Sequence, residues 1–343
     1  MAVDASLATL SDSAFTASIV AYSVGIFGYA GEYAFGRQGR IARTSTEQSA
    51  ALTTAGSRSG VHRAGPGGLA TSDGDGPGAP ERHRLMATRL GRIGLAATVL
   101  GALLQVASLT ARGIAAGRAP WGNMFEFASG VCLVAVVAYL FLLTQAPRLR
   151  HLGLFVLIPI VFVLVYAGLE LYAEAAPLVA ALRSYWLVIH VAAAIIACGI
   201  WFVSGVMAAL YLVRQRYERG LVEQEAPPRP IAALGPRLPE AAVLDRISYR
   251  LVAFAFPIFT FAVIAGAIWA ESAWGRFWGW DPKETWALIA WLVYACYLHA
   301  RATAGWKGVR AAQINLLGFF AMTFNFLVIN MVVSGLHSYA GLT

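Results

Sequence analysis

The sequence predicts an all-α integral membrane protein with about eight transmembrane helices, both termini extracytoplasmic, and an outer loop rich in tryptophan. Three observations carry this reading. Of 343 residues, 58% are hydrophobic and only 13% charged, and the mean hydropathy is positive, at +0.63, which no ordinary soluble domain shows. The apolar residues fall into stretches of about 20, the length that crosses roughly 30 Å of hydrocarbon. Lys and Arg gather in alternate loops, as the positive-inside rule requires of a multi-pass protein.

In chain order the expected spans are 15–35, 93–111, 125–143, 152–170, 185–213, 251–269, 282–299 and 314–334. Pro159 and Pro257 fall inside two of them, which membrane helices tolerate and which marks kinks. The basic loops run from Arg37 to Arg92, over Arg148 and Arg150, from Arg214 to Arg250, and from Arg301 to Arg310. The other loops hold Arg112, Arg118, Arg183, Arg276 and Lys283. The first set is therefore assigned to the cytoplasm, and the tryptophan loop to the outer face. A net charge of +8 would suggest nucleic acid in a soluble chain. Here loop topology accounts for it, and no nucleic-acid partner is expected. An Ala- and Arg-rich composition suits a bacterial chain, hence the bacterial cytoplasmic membrane.

Composition also divides the chain. Residues 1–36 carry the first span. Residues 37–84 are rich in Gly, Ser, Thr, Ala and Pro and read as a disordered cytoplasmic linker. Spans two to five occupy 85–220, a proline-rich linker occupies 221–244, and spans six to eight occupy 245–343, with Asp245 expected to cap a short helix leading into the sixth. No cleavable signal peptide is evident, because no basic segment precedes the first span. Cys132, Cys198 and Cys296 lie far apart within spans, and neither C-x-x-C nor C-x-x-C-H occurs, so neither disulfide exchange nor covalent haem on this chain is expected.

The chemistry gathers in 269–291, WAESAWGRFWGWDPKETWALIAW. Six of these residues are tryptophan: Trp269, Trp274, Trp278, Trp280, Trp286 and Trp291. An interfacial belt uses one or two per helix end. This density suits a large flat ligand such as haem. Gly275 and Gly279 predict a loop or broken helix. Asp281-Pro282-Lys283-Glu284 then reads as a helix start, with Asp as cap, Pro first and Glu third. A helix N-terminus beside Lys283 and Arg276 is suited to anionic groups such as haem propionates.

His190 lies near the outer end of the fifth span and His337 just past the outer end of the eighth. Neutral imidazole is a standard axial ligand of haem iron. The residues alone leave two readings open: interfacial histidines, or a bis-histidine pair flanking the tryptophans. His299 ends the seventh span on the inner side, either as an interfacial residue or as an inner haem ligand. His62, His83 and His151 sit among linker or basic residues and receive no chemistry. Of the acids near spans, Glu126, three residues after Asn123, is the one singled out.

These stretches resemble a known family. WGRFWGWDPKETWALIAWLVYACYLHAR is similar to the "WWD" signature of haem-handling proteins, in the version of the CcsA (ResC) type of system II cytochrome c synthase. SYWLVIHV and GLHSY resemble its two outer histidine segments, and YLHAR its membrane histidine. PWGNMFEF resembles a further outer-loop signature, with Asn123 and Glu126 as its polar positions. The resemblance runs from about Trp121 to the C-terminus.

It implies that haem b, as a non-covalently bound substrate, rests on the outer surface with His190 and His337 as axial ligands, and that the thiols of C-x-x-C-H in apocytochrome c add to its vinyl groups. Trp274, Trp278, Trp280, Asp281 and Trp286 would form the binding surface, with Lys283 and Arg276 at the propionates. A ResB-type membrane subunit with a large outer domain, and a thioredoxin-like thiol reductant, are the implied partners. The competing readings are haem delivery without synthase activity, a non-haem transporter, and an assembly subunit whose tryptophans dock a partner.

Overall fold

The computed structural model describes residues 4–56, 79–178, 182–224, 229–303, 305–329, 333 and 335–336, without the side chains of 37–56, 79–80 and 229. Nine α-helices and no strand occur among the described residues. They are α1 (Ala5–Gly56), α2 (Ala79–Ala116), α3 (Met124–Gln145), α4 (Gly153–Glu170), α5 (Tyr185–Glu223), the short α6 (Arg229–Leu234), α7 (Ala241–Trp274), α8 (Pro282–Thr303) and α9 (Val309–Phe324), which continues as a π turn over Asn325–Ile329. Among the described residues, seven helices are long and apolar enough to cross a membrane. The remaining expected span is α8, 22 residues long, with Lys283 and Glu284 in its first turn and Arg301 in its last. It packs against α9 and α7.

Local chemistry explains the helix ends. The Asn123 side chain caps α3 by accepting from the Glu126 amide, and Ser184 caps α5 by accepting from the Trp186 amide. Gly275 closes α7 at φ 71°, a left-handed conformation that glycine adopts at little cost. Pro159 and Pro257 do lie inside helices, in α4 and α7.

The boundaries differ from the compositional ones. The helix carrying the first span continues past 36 to Gly56, and α2 begins at Ala79, so helix occupies both ends of the segment expected to be disordered. Residues 37–52 contain no proline and several good helix formers, which is why the helix continues. Residues 57–78, including His62, lie outside the described residues. Asp245 does not cap a helix. It lies within α7 and accepts from both Arg301 Nη atoms of α8, at 2.6 and 3.0 Å.

Two large apolar clusters, with two smaller ones beside them, form the interior among the described residues. One joins Phe15, Tyr22 and Tyr29 of α1 to α3 and α4 and reaches Phe202 of α5. The other joins Trp201 of α5, Phe259 of α7 and Tyr294 of α8 to α9. Trp201 and Tyr294 stack with centroids 3.9 Å apart. Several buried polar side chains bond to one another, as hydrocarbon surroundings favour: Tyr22 donates to Gln105, which donates to Ser129, and Asn315 Nδ2 donates to Ser204 and Ser248.

The antiparallel succession of helices brings alternate loops to one end. There Asp4 N donates to Ala115 O, Arg118 to Ala176 O, and Leu336 N to Asp281. Both chain ends, as far as they are described, thus lie at the tryptophan end. Arg150 with Glu32 and Arg301 with Asp245 pair at the opposite end.

Candidate functional site

A cavity of about 220 Å³ lies at the tryptophan end. Five helices, α3, α5, α7, α8 and α9, build it with the segments that join them. α5 contributes His190, Ala194 and Cys198. α7 contributes Phe259, Ala262, Gly266, Trp269 and Trp274. α8 contributes Lys283, Glu284 and Ala287. Met322, Asn325 and Phe326 come from α9 and its π turn, Met124 and Phe127 from α3, and Trp121 to Asn123 from the segment before it. The walls are mainly apolar and aromatic, with few polar groups, the usual make-up of a site for an extended organic ligand.

His190 is held from two sides. Its Nδ1 lies 2.7 Å from Ala262 O on α7. A carbonyl only accepts, so Nδ1 carries the proton and Nε2 the lone pair. Its ring lies nearly parallel to Trp269, at 9° and 6.2 Å between centroids. Glycine at 266 makes this possible, since a Cβ there would sit 2.6 Å from His190 Nδ1. A histidine whose Nδ1–H is fixed by a backbone carbonyl is oriented as metal-ligating histidines are.

The tryptophan segment divides into three parts. Trp269 and Trp274 belong to α7, meeting edge to face at 4.8 Å. The loop proper carries Phe277, Trp278 and Trp280. Trp286 and Trp291 lie on α8, where Trp286 packs on Phe324 and Trp291 donates to Thr260. Of the six, Trp269, Trp274 and Trp278 line the cavity. Trp280 is 69% exposed, with φ 57°, a conformation that costs an L-residue about 1–2 kcal/mol. The helix start holds it there: Glu284 Oε2 accepts from Gly279 N and Asp281 N, at 2.8 and 3.1 Å, the reaching-back half of a capping box.

The remaining expected residues separate. Asn123 and Lys283 line the cavity, and Lys283 Nζ lies 3.8 Å from Met124 Sδ. Asp281 is buried outside the lining, accepting from Leu336 N at 3.1 Å. Arg276 folds over Gly279, where its Nη1 fills the place a Cβ would take, and it does not line the cavity. Glu126 is fully buried and bound by Arg112 and Arg118, again outside the lining. His299 is exposed near the far end of α8, remote in sequence from Ala290, the deepest α8 residue of the lining. His337 lies outside the described residues, next to Leu336. Sequence reasoning assigned no site role to Trp121, Ala262, Gly266 or Asn325. The π turn that presents Asn325, whose Nδ2 donates to Lys283 O at 3.3 Å, left no sequence signal.

Fold and cavity together define a multi-pass α-helical membrane protein with an aromatic-walled cavity at one end of its bundle. The cytochrome c assembly protein family matches residues 121–337, a stretch that contains nearly all of that site. The chain is 36% identical over 300 residues to the cytochrome c biogenesis protein CcsA of Synechococcus sp. (strain JA-3-3Ab), covering 73% of this chain and 86% of that protein. It is 36% identical over 262 residues to that of Guillardia theta, with the same coverages, and 34% identical to that of Chlamydomonas reinhardtii over 69% of this chain and 65% of that one. This chain therefore belongs to the cytochrome c assembly protein family, as a CcsA-type cytochrome c biogenesis protein.

Proposed function

We propose that this chain holds haem b as a substrate in the tryptophan-end cavity, with His190 and His337 as axial ligands, and presents it for thioether attachment to C-x-x-C-H of apocytochrome c. The observation that carries this is the His190 imidazole, fixed on the cavity wall by Ala262 O and parallel to Trp269. It meets the demand that an axial ligand be neutral, oriented and backed by a fixed acceptor. Trp274 and Trp278 offer ring faces to a flat ligand. Lys283 supplies a cation for a propionate.

The residues' part is positional. Holding the substrate's vinyl edge toward the cavity mouth makes thiol addition effectively intramolecular once the apocytochrome docks, and the bound haem itself supplies the reactive vinyl groups and the iron. No side chain is assigned as a general base. By the charge of the loops, the cavity faces the extracytoplasmic side of a bacterial cytoplasmic membrane. A ResB-type membrane subunit would complete the synthase, and a thioredoxin-like reductant would keep the apocytochrome thiols reduced. His299, at the opposite end, is kept as a candidate inner-site ligand. Haem delivery without synthase activity is the alternative, and covalent product formed with the partner subunit present distinguishes it.

The test is the visible spectrum of the protein purified with its membrane partner, beside His190→Ala and His337→Ala. The expected result is a low-spin spectrum weakened by each substitution and restored by imidazole. A haem signal indifferent to both would overturn the ligand assignment.

A further inference from the structure

Glu126 has no exposed surface and receives five hydrogen bonds. Arg112 Nε donates to Oε1 at 2.8 Å. Arg118 donates to both oxygens, Nη1 at 2.6 Å and Nη2 at 3.0 Å. Gly122 N donates at 2.7 Å and Asn123 Nδ2 at 3.2 Å. Three of the four donor residues therefore belong to 118–123, the segment wrapped around the carboxylate. Its last residues, Trp121 to Asn123, form one wall of the cavity.

The arginines carry the connection outward. Arg112 also reaches Ala173 O and Asp12, and its guanidinium lies 4.8 Å from the Phe125 ring centroid. Arg118 Nε donates to Ala176 O at 2.8 Å. Tyr172 donates to Asp12 at 2.7 Å. Glu126 thus ties the cavity wall to α1, α2 and the segment after α4. Both arginines precede the stretch 121–337 that the family matches, so the wall depends on residues outside it. Two cations around two carboxylates also leave the cluster without net charge, as a buried group requires.

We propose that Glu126 is a positioning residue: clasped by Arg112 and Arg118, it fixes the Trp121–Asn123 wall and so sets access to the cavity. Its relevance to haem rests on the reading above. A neutral amide in its place cannot accept from all five donors, since its own Nε2 adds two more. Two arginines would then face one carboxylate, Asp12. Asp at 126 keeps the charge but draws it back by one methylene.

Cys198, on the cavity lining, reports on the wall without any haem. In the complex with the membrane partner, with Cys132 and Cys296 replaced by Ala, modification of Cys198 by a charged methanethiosulfonate is timed. Glu126→Gln is expected to speed modification about tenfold or more and to lower retained haem, with Glu126→Asp in between. Should Glu126→Gln fail to accumulate, Arg118→Lys, which keeps the charge but loses the fork, is expected to act in the same direction. Faster modification with unchanged haem would uphold the wall and count against the cavity as the haem site. Unchanged modification in a folded variant would overturn the positioning role, whatever the haem content.

Discussion

Glycine 266 offers the sharpest test of how the cavity holds its imidazole. Gly266→Ala adds one methyl group, at a helix position where alanine is intrinsically preferred by about 0.5–1 kcal/mol. That methyl would lie 2.6 Å from His190 Nδ1 and 2.7 Å from Cε1. Ordinary contact begins near 3.4 Å, so the ring must retreat from α7 by about 0.8 Å. Ala262 lies one turn before Gly266 on the same helix, and the same retreat stretches the 2.7 Å bond to its carbonyl beyond hydrogen-bonding range. The bond is worth about 1 kcal/mol in stability, largely offset by the helix gain. Its value to a metal ligand is larger, because losing such a partner typically costs about 10–100-fold in affinity. The expected outcome is a variant that accumulates and melts like the parent, yet retains haem about tenfold or more less tightly, measured by haem transfer to an apo-acceptor. Placed on His190→Ala, the same substitution should have no further effect, since the interaction it breaks is already absent. Wild-type retention in Gly266→Ala, or additive losses in the double variant, would refute the argument.

Substitutions at two further positions probe the scaffold. Asp245→Asn leaves the Arg301 guanidinium, 8% exposed, facing a neutral amide. A loss of about 3–5 kcal/mol is expected, seen as a lower midpoint of thermal unfolding in detergent; an unchanged midpoint would mean the pair is hydrated. At Trp280, glycine should be more stable than alanine by about 1 kcal/mol, because only alanine retains the left-handed penalty. The two unfolding midpoints decide this, and equal values would show that the loop does not impose φ 57°.

What the sequence disclosed follows from the range of each signal. Helix ends governed by local chemistry were legible: Gly275 stops α7 and Pro282 starts α8 because left-handed backbone and a fixed φ are properties of single residues. The spans were legible because burial in lipid demands apolar residues along a whole helix. Asp245 was misread because a polar residue beside a proline-rich linker looks like a cap, and nothing local announces Arg301 more than 50 positions later. The linker over 37–84 was overextended because Gly, Ser and Thr in its middle dominated the composition of its helical edges. The tryptophan segment read as one surface, with Trp274, Trp278, Trp280 and Trp286 as its binding residues, whereas Trp269, Trp274 and Trp278 line the cavity. On α8, Trp286 packs on Phe324 and Trp291 donates to Thr260, and a segment read as one string hides that.

The same contrast decides which residues make His190 specific. A histidine near a helix end is commonplace, and its sequence context, SYWLVIHV, contains nothing that would fix a tautomer. The fixing group is a backbone carbonyl on α7, Ala262 O, which any residue type could supply. What α7 contributes by sequence is an absence, the missing Cβ at Gly266 that lets the ring approach. Lys283 and Arg276 make the converse case. Both read as cations for an anionic group, but Lys283 lines the cavity and Arg276 folds back over Gly279. Lys283 follows Pro282 directly, so the geometry of the helix start sets its direction. Arg276 sits in a loop between two glycines, and its direction is set by the space Gly279 leaves. The loss of charge in Arg276→Gln should therefore act through the loop's conformation, whereas in Lys283→Gln it should act on the ligand itself.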